Sequence, residues 1–93
     1  MSLRWQAEAL EAIAAETKRL EEIAGERSAR AFVTRIRHVA EQIQAFPEFG
    51  RAVPEFRVDS IRGRIVGEYR LMYRIVGNDV ELLTLIHGSR EVP

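Results

Sequence analysis

The sequence has 93 residues, enough for one core and too few for two, so a single domain spanning residues 1–93 is expected. Its apolar fraction of 46% is that of a folded chain, and the lack of cysteine excludes a disulfide framework and any thiolate metal site. Fourteen basic and fourteen acidic residues cancel, which argues against a protein held on nucleic acid by bulk charge alone.

No apolar run is long enough to span a bilayer, and residues 1–5 lack the charged-then-apolar order of a signal peptide. A cytoplasmic protein with no membrane partner is therefore expected. Residues 3–5 form a short apolar start that could add an edge strand, with Trp5 as a core or staple residue for the helix that follows. Leu10, Ile13, Leu20 and Ile23 then recur at helical spacing, with Ala9 and Ala24 widening the stripe and Glu and Arg filling the other face. Gly25 fits a stop. A second helix follows, with Ala29, Phe32, Ile36, Val39, Ile43 and Phe46 at intervals of three or four, ending before Pro47 and Gly50. Two such helices with a short link make an antiparallel hairpin.

Residues 46–59, "FPEFGRAVPEFRVD", carry two prolines and a glycine and read as a structured connection over the surface. Residues 61–66, 69–76 and 80–87 have strand length and composition, with hairpin signals at Gly67 and at Gly77-Asn78. The expected fold is α+β, an N-terminal helical hairpin packed on one face of a small antiparallel meander sheet.

Between Arg51 and Val76 six arginines stand against Glu55, Asp59 and Glu68, a local excess of three positive charges. Register places most of them. A two-residue turn at Gly77-Asn78 sets Tyr69, Leu71, Tyr73 and Ile75 beside Ile86, Thr84, Leu82 and Val80 on the core face, with the two tyrosine hydroxyls reaching the rim. On the reverse it sets Arg74 opposite Glu81, Met72 opposite Leu83 and Arg70 opposite Leu85. A two-residue turn at Gly67 would place Arg62 and Arg64 on the core face as unpaired buried charges. An odd loop or bulge near residues 66–68 avoids that cost and puts Ile61, Gly63 and Ile65 on the core face instead. Arg62, Arg64, Arg70 and Arg74 then share the outer face, around an apolar strip of Met72, Leu83 and Leu85 with His87 at the margin, a pattern typical of protein interfaces. His38 reads as solvent-facing, and two histidines without a third ligand predict no metal site.

The elements "FPEFGRAVPEF", "IRGRIVGEYRLMYRIV" and "LLTLIHGSREVP", in that order behind two helices, resemble the RelE/ParE superfamily of bacterial toxin-antitoxin toxins. The resemblance runs from Trp5 onward. Its most specific parts are G-R-x-V-P-E at residues 50–55, Y-R-L-x-Y-R at residues 69–74 and H-G-x-R at residues 87–90, and the first and last look most like the ParE branch.

That branch implies a binding protein: it inhibits DNA gyrase and replication, arrests growth, stabilises plasmids and is neutralised by a cognate antitoxin in a hetero-oligomer, with no cofactor. On this reading Arg62, Arg64, Arg70, Met72, Arg74, Leu83, Leu85, His87 and Arg90 form the target- or antitoxin-binding surface. The RelE branch implies the alternative, a ribosome-dependent endoribonuclease acting on mRNA, in which positive charge stabilises the phosphorane and an acid and a base move protons. Arg70 matches the strand arginine of that branch, Arg62 and Arg64 the basic residues of its preceding strand, and Arg90 a basic residue after the last strand; His87 or Glu55 would carry the proton. Many cleaving members have a tyrosine just after the position of Arg90, and this sequence has none there.

Overall fold

In the computed structural model, which describes residues 2–49, 51–52 and 61–88, two helices cover one face of a five-stranded sheet. The chain runs β1 (Ser2–Trp5), α1 (Ala7–Ala24), α2 (Glu26–Ala45), a 3-10 turn (Pro47–Phe49), β2 (Arg51–Ala52), β3 (Ile61–Val66), β4 (Tyr69–Val76) and β5 (Asp79–His87). The strands lie in the order β1-β5-β4-β3-β2. β3, β4 and β5 form the expected meander, and the architecture is the expected α+β one. The helical hairpin carries the chain from one sheet edge to the other. β1 therefore adds to β5 in parallel, and β2, at the opposite edge, pairs antiparallel with β3.

Gly25 separates the helices as its place in the sequence required: its N–H donates to Glu21 O at 3.1 Å and its carbonyl accepts from Ala29 N at 3.2 Å. α2 buries Ala29, Phe32, Ile36, Val39, Ala40 and Ile43, a stripe one turn after another along its length. Phe46 falls beyond the helix end and is 57% exposed, so it is not part of that stripe. α1 departs further from expectation. Ala9 is its one buried residue; Ile13 and Leu20 are partly buried against the core, while Leu10 and Ile23 are exposed. It packs beside α2 and over β5, with part of its apolar stripe left open to solvent.

Both hairpin turns have two residues, with Gly67 and Gly77 at φ +61° and +59°, a region that costs glycine nothing. The turn at Gly77 gives the expected pairing of Val76 with Asp79. The turn at Gly67 overturns an expectation. Val66 pairs with Tyr69, so Arg62 stands beside Tyr73 and Arg64 beside Leu71 on the helix side, while Ile65 is turned outward and 73% exposed. The charges are tolerated because they are half-buried and bonded: Arg64 Nη2 donates to Gln42 Oε1 at 2.7 Å, and Arg62 Nη1 to the Glu48 carbonyl at 3.3 Å.

A second departure lies between β4 and β5. The register shifts between Met72 and Tyr73: Tyr73 pairs with Leu82 and Met72 with Thr84, and Leu83 is the extra residue of a bulge. Beyond it Arg70 faces Ile86, Leu71 faces Leu85 and Tyr69 faces His87, each one residue from the expected partner. Leu85 is thereby turned to the helix side and joins the core with Ile43, Val66, Leu71, Tyr73, Val80 and Leu82. Each such side chain, fully buried, stabilises the fold by roughly 1.5–3 kcal/mol.

Candidate functional site

The strand arginines expected on one face are divided between two. Arg70 and Arg74 alternate along β4 with the core residues Leu71 and Tyr73, and so project from the face opposite the helices. There Arg70 lies between Ile65 and Ile86, and Arg74 between Ile61 and Glu81. Arg74 Nε donates to Glu81 Oε1 at 2.7 Å, the ion pair that register alone had placed. Arg70 is half-buried, and its Nε is shut off from solvent, with no hydrogen-bond partner among the described residues. Arg62 and Arg64 are on the helix side, held by Glu48 and Gln42.

The apolar strip expected between these arginines is not an exposed surface. Met72 is fully buried, outside the main core cluster, Leu85 is in the core, and Leu83 is half-buried at the bulge. The apolar side chain most exposed on this face is Ile65, which the expected first turn had turned inward.

His87 is drawn to the helix side by the same register shift. Its ring meets Tyr69 edge-on, with centroids 5.4 Å apart at 79°, and its Nε2 is 3.7 Å from Glu68 Oε2. Phe32 of α2 also meets the Tyr69 ring, at 5.2 Å and 57°. The Tyr69 hydroxyl reaches past them to α1. It donates to Glu16 Oε2 at 2.7 Å and accepts from Arg19 Nη2 at 2.9 Å, and Arg19 Nε donates to the same carboxylate oxygen at 3.0 Å. Partial burial works against ionisation of Glu16, but the bonds from Tyr69 and Arg19 outweigh it and hold the carboxyl below its ordinary range. Burial, and the bond donated to Glu16, push the Tyr69 phenol up. A cleft of about 540 Å³ opens here, lined by Ala12, Ala15, Glu16, Arg19, Tyr69 and His87 among others.

Glu16 and Arg19 did not stand out in the sequence, although a signal was present. Glu16 and Thr17 interrupt the apolar stripe of α1 between Ile13 and Leu20, where helical spacing calls for another apolar residue. Of the other singled-out residues, Trp5 is half-buried and packs against the core. Tyr73 is fully buried, its hydroxyl donating to the Pro47 carbonyl at 2.5 Å. His38 is exposed on α2 beside Gln42, at 3.2 Å. Glu55 and Arg90 lie outside the described residues.

The arrangement bears directly on phosphate chemistry. Cations that stabilise a phosphorane must all reach the same phosphate, and the sheet separates Arg62 and Arg64 from Arg70. His87, a candidate proton carrier, meets the Tyr69 ring edge-on.

Comparison with known proteins completes the picture. A family model described as "ParE toxin of type II toxin-antitoxin system, parDE" matches residues 3–92. A solved structure, "Chromosomal ParDE TA system from P. aeruginosa", superimposes with a TM-score of 0.80, covering 94% of this chain and 95% of that one at 20% identity, which is a likeness of fold. No curated protein matches the sequence.

Proposed function

Because the chain belongs to the ParE toxin family of type II toxin-antitoxin systems, we propose that it arrests growth by binding DNA gyrase and is neutralised by its cognate antitoxin. On this reading residues 1–93 act as one domain in the cytoplasm, by occupying a protein surface and not by breaking a bond. The observation that supports binding over cleavage is the division of the strand arginines. Arg62 and Arg64 are engaged by Gln42 and Glu48 on the helix side, and Arg70 lies across the sheet from them. The RelE-type ribonuclease reading needs all three around one phosphate.

Among the residues singled out in the sequence, Arg70, Arg74 and His87 remain the candidates for contact with target or antitoxin. Arg70 leads them, since it is a half-buried guanidinium in the middle of the face that the helices leave uncovered, where a carboxylate can pair with its open end.

The experiment pairs a gyrase supercoiling assay on the purified chain with pulse labelling of bacteria just after its induction. The expected result is inhibited supercoiling, with thymidine incorporation failing before methionine incorporation. Earlier failure of methionine incorporation, with supercoiling untouched, would move the target to the ribosome and overturn the gyrase reading. Arg70→Ala should weaken binding to gyrase or to the antitoxin by about tenfold with the fold intact; unchanged affinity for both would remove Arg70 from the surface.

A further inference from the structure

A cleft of about 180 Å³ opens between α1 and α2 near the start of α1, walled by Trp5, Leu10, Ile13, Val33, Ile36 and Arg37. Five of the six are apolar, and the room is that of one aliphatic side chain. Leu10 stands at its edge and is 53% exposed, so it holds apolar surface that its own chain does not cover. Along α1, Ala7, Leu10, Ala14 and Thr17 follow one another at helical spacing, and both alanines are exposed, which lets another helix approach closely on this line. A knob and a hole thus stand side by side.

Charge is divided between the helices in a matching way. α1 carries five acidic residues against two basic ones, and α2 four basic against two acidic. At the cleft the division comes down to two side chains: Glu11, exposed beside Leu10, and Arg37, exposed at the rim on α2. Neither side chain forms an ion pair or hydrogen bond among the described residues, whereas Arg4, Arg19, Arg30 and Arg74 each meet a carboxylate.

We propose that a second copy of this chain docks here about a two-fold axis, with each α1 lying toward the other copy's α2, each Leu10 entering the other's cleft and each Arg37 meeting the other's Glu11. A two-fold contact needs one patch to hold both halves of every interaction. This patch does, knob with hole and acid with base. One apolar side chain and one ion pair from each copy make a small interface, so the association is weak: dilute solutions hold single chains and concentrated ones hold pairs. The contact uses the helices alone. It leaves the sheet face of Arg70 and Arg74 open in both copies, and it does not depend on the gyrase reading.

The test is sedimentation equilibrium of the full chain from about 1 µM to about 500 µM. The unaltered chain should pass from the mass of a single chain toward twice that mass. Leu10→Glu, at an exposed position where circular dichroism and Tm should match the unaltered chain, should stay single throughout. Arg37→Glu and Glu11→Arg should each weaken pairing about tenfold, and the double variant Glu11→Arg/Arg37→Glu, which exchanges the charges without removing them, should recover it. An unaltered chain that stays single at every concentration overturns the inference, and so does pairing that survives Leu10→Glu. A double variant no better than either single one overturns the pairing of Arg37 with Glu11. An unaltered chain that never pairs, together with lost antitoxin affinity in Leu10→Glu, would give this cleft to the antitoxin instead.

Discussion

α1 and α2 are similar in length and both carry an apolar stripe opposite a charged face, yet α2 buries six side chains between Ala29 and Ile43 where α1 buries Ala9 alone. The difference lies in where each helix lands. α2 lies over β3 and sets Phe32 on Tyr69 of β4, while α1 lies over β5 and leans on α2. What α1 lacks in burial it partly recovers through polar contact, since Glu16 and Arg19 grip the Tyr69 hydroxyl. An amphipathic pattern thus tells that a helix has an inward side, and not how far inward that side goes. It also leaves apolar side chains of α1, Leu10 and Ile23 among them, exposed.

The largest expected effect lies on α2. Ile43 is fully buried, and Ile43→Ala should cost about 2–5 kcal/mol, by lost transfer energy and an incompletely closed cavity. Leu10→Ala on α1, where the side chain is 53% exposed, should change stability by less than about 0.5 kcal/mol. Urea titration of both variants checks the contrast, because the midpoint should fall sharply for the first and hardly for the second. Equal losses would mean that α1 is docked as firmly as α2.

The helices, the stop at Gly25, the three-strand meander and the Arg74–Glu81 pair were legible because each follows from local spacing or from a turn that fixes register. The side chosen for Arg62 and Arg64 was not. A buried unpaired charge is too costly to keep, but the acceptors at Gln42 and Glu48, 22 and 14 residues away in the chain, leave no mark in the local sequence. The bulge at Leu83 left no glycine or proline to mark it, and it alone moved Leu85 into the core and His87 onto Tyr69. β2, two residues long, is too short for a periodic signal. Arginines beside apolar side chains were thus legible in kind, but not which of these residues lie at the surface: Ile65 and Arg35 are exposed, and Met72 and Leu85 are buried.

The polar grip of α1 on the sheet offers a smaller and sharper test. Tyr69→Phe keeps the ring that packs on Phe32 and His87 and removes only the hydroxyl, so it should cost about 1 kcal/mol. In a double-mutant cycle with Glu16→Ala the two losses should fall short of additive, since both variants remove the same bond. Full additivity would show that α1 is held by Ala9, Ala12, Ile13 and Leu20 without help from the hydroxyl.

The smallest effect is the pH dependence of that grip. Burial alone would raise the Glu16 carboxyl, but Tyr69 and Arg19 bring it below its ordinary range, so the folded state favours the ionised form more than the unfolded chain does. A group depressed on folding adds stability above its unfolded pKa and loses it as pH falls through the folded value. Lowering pH through and below the ordinary carboxylate range should therefore loosen the Glu16 contribution, by a modest amount because this side chain is partly open to solvent. Tyr69→Phe removes the larger of the two bonds that hold the carboxyl down, so its stability should fall less steeply over the same acid range than that of the unaltered chain. Thermal melts at stepped pH compare the two slopes. Parallel slopes would place the acid sensitivity in other carboxylates and leave α1 held by packing, as α2 is, only more thinly.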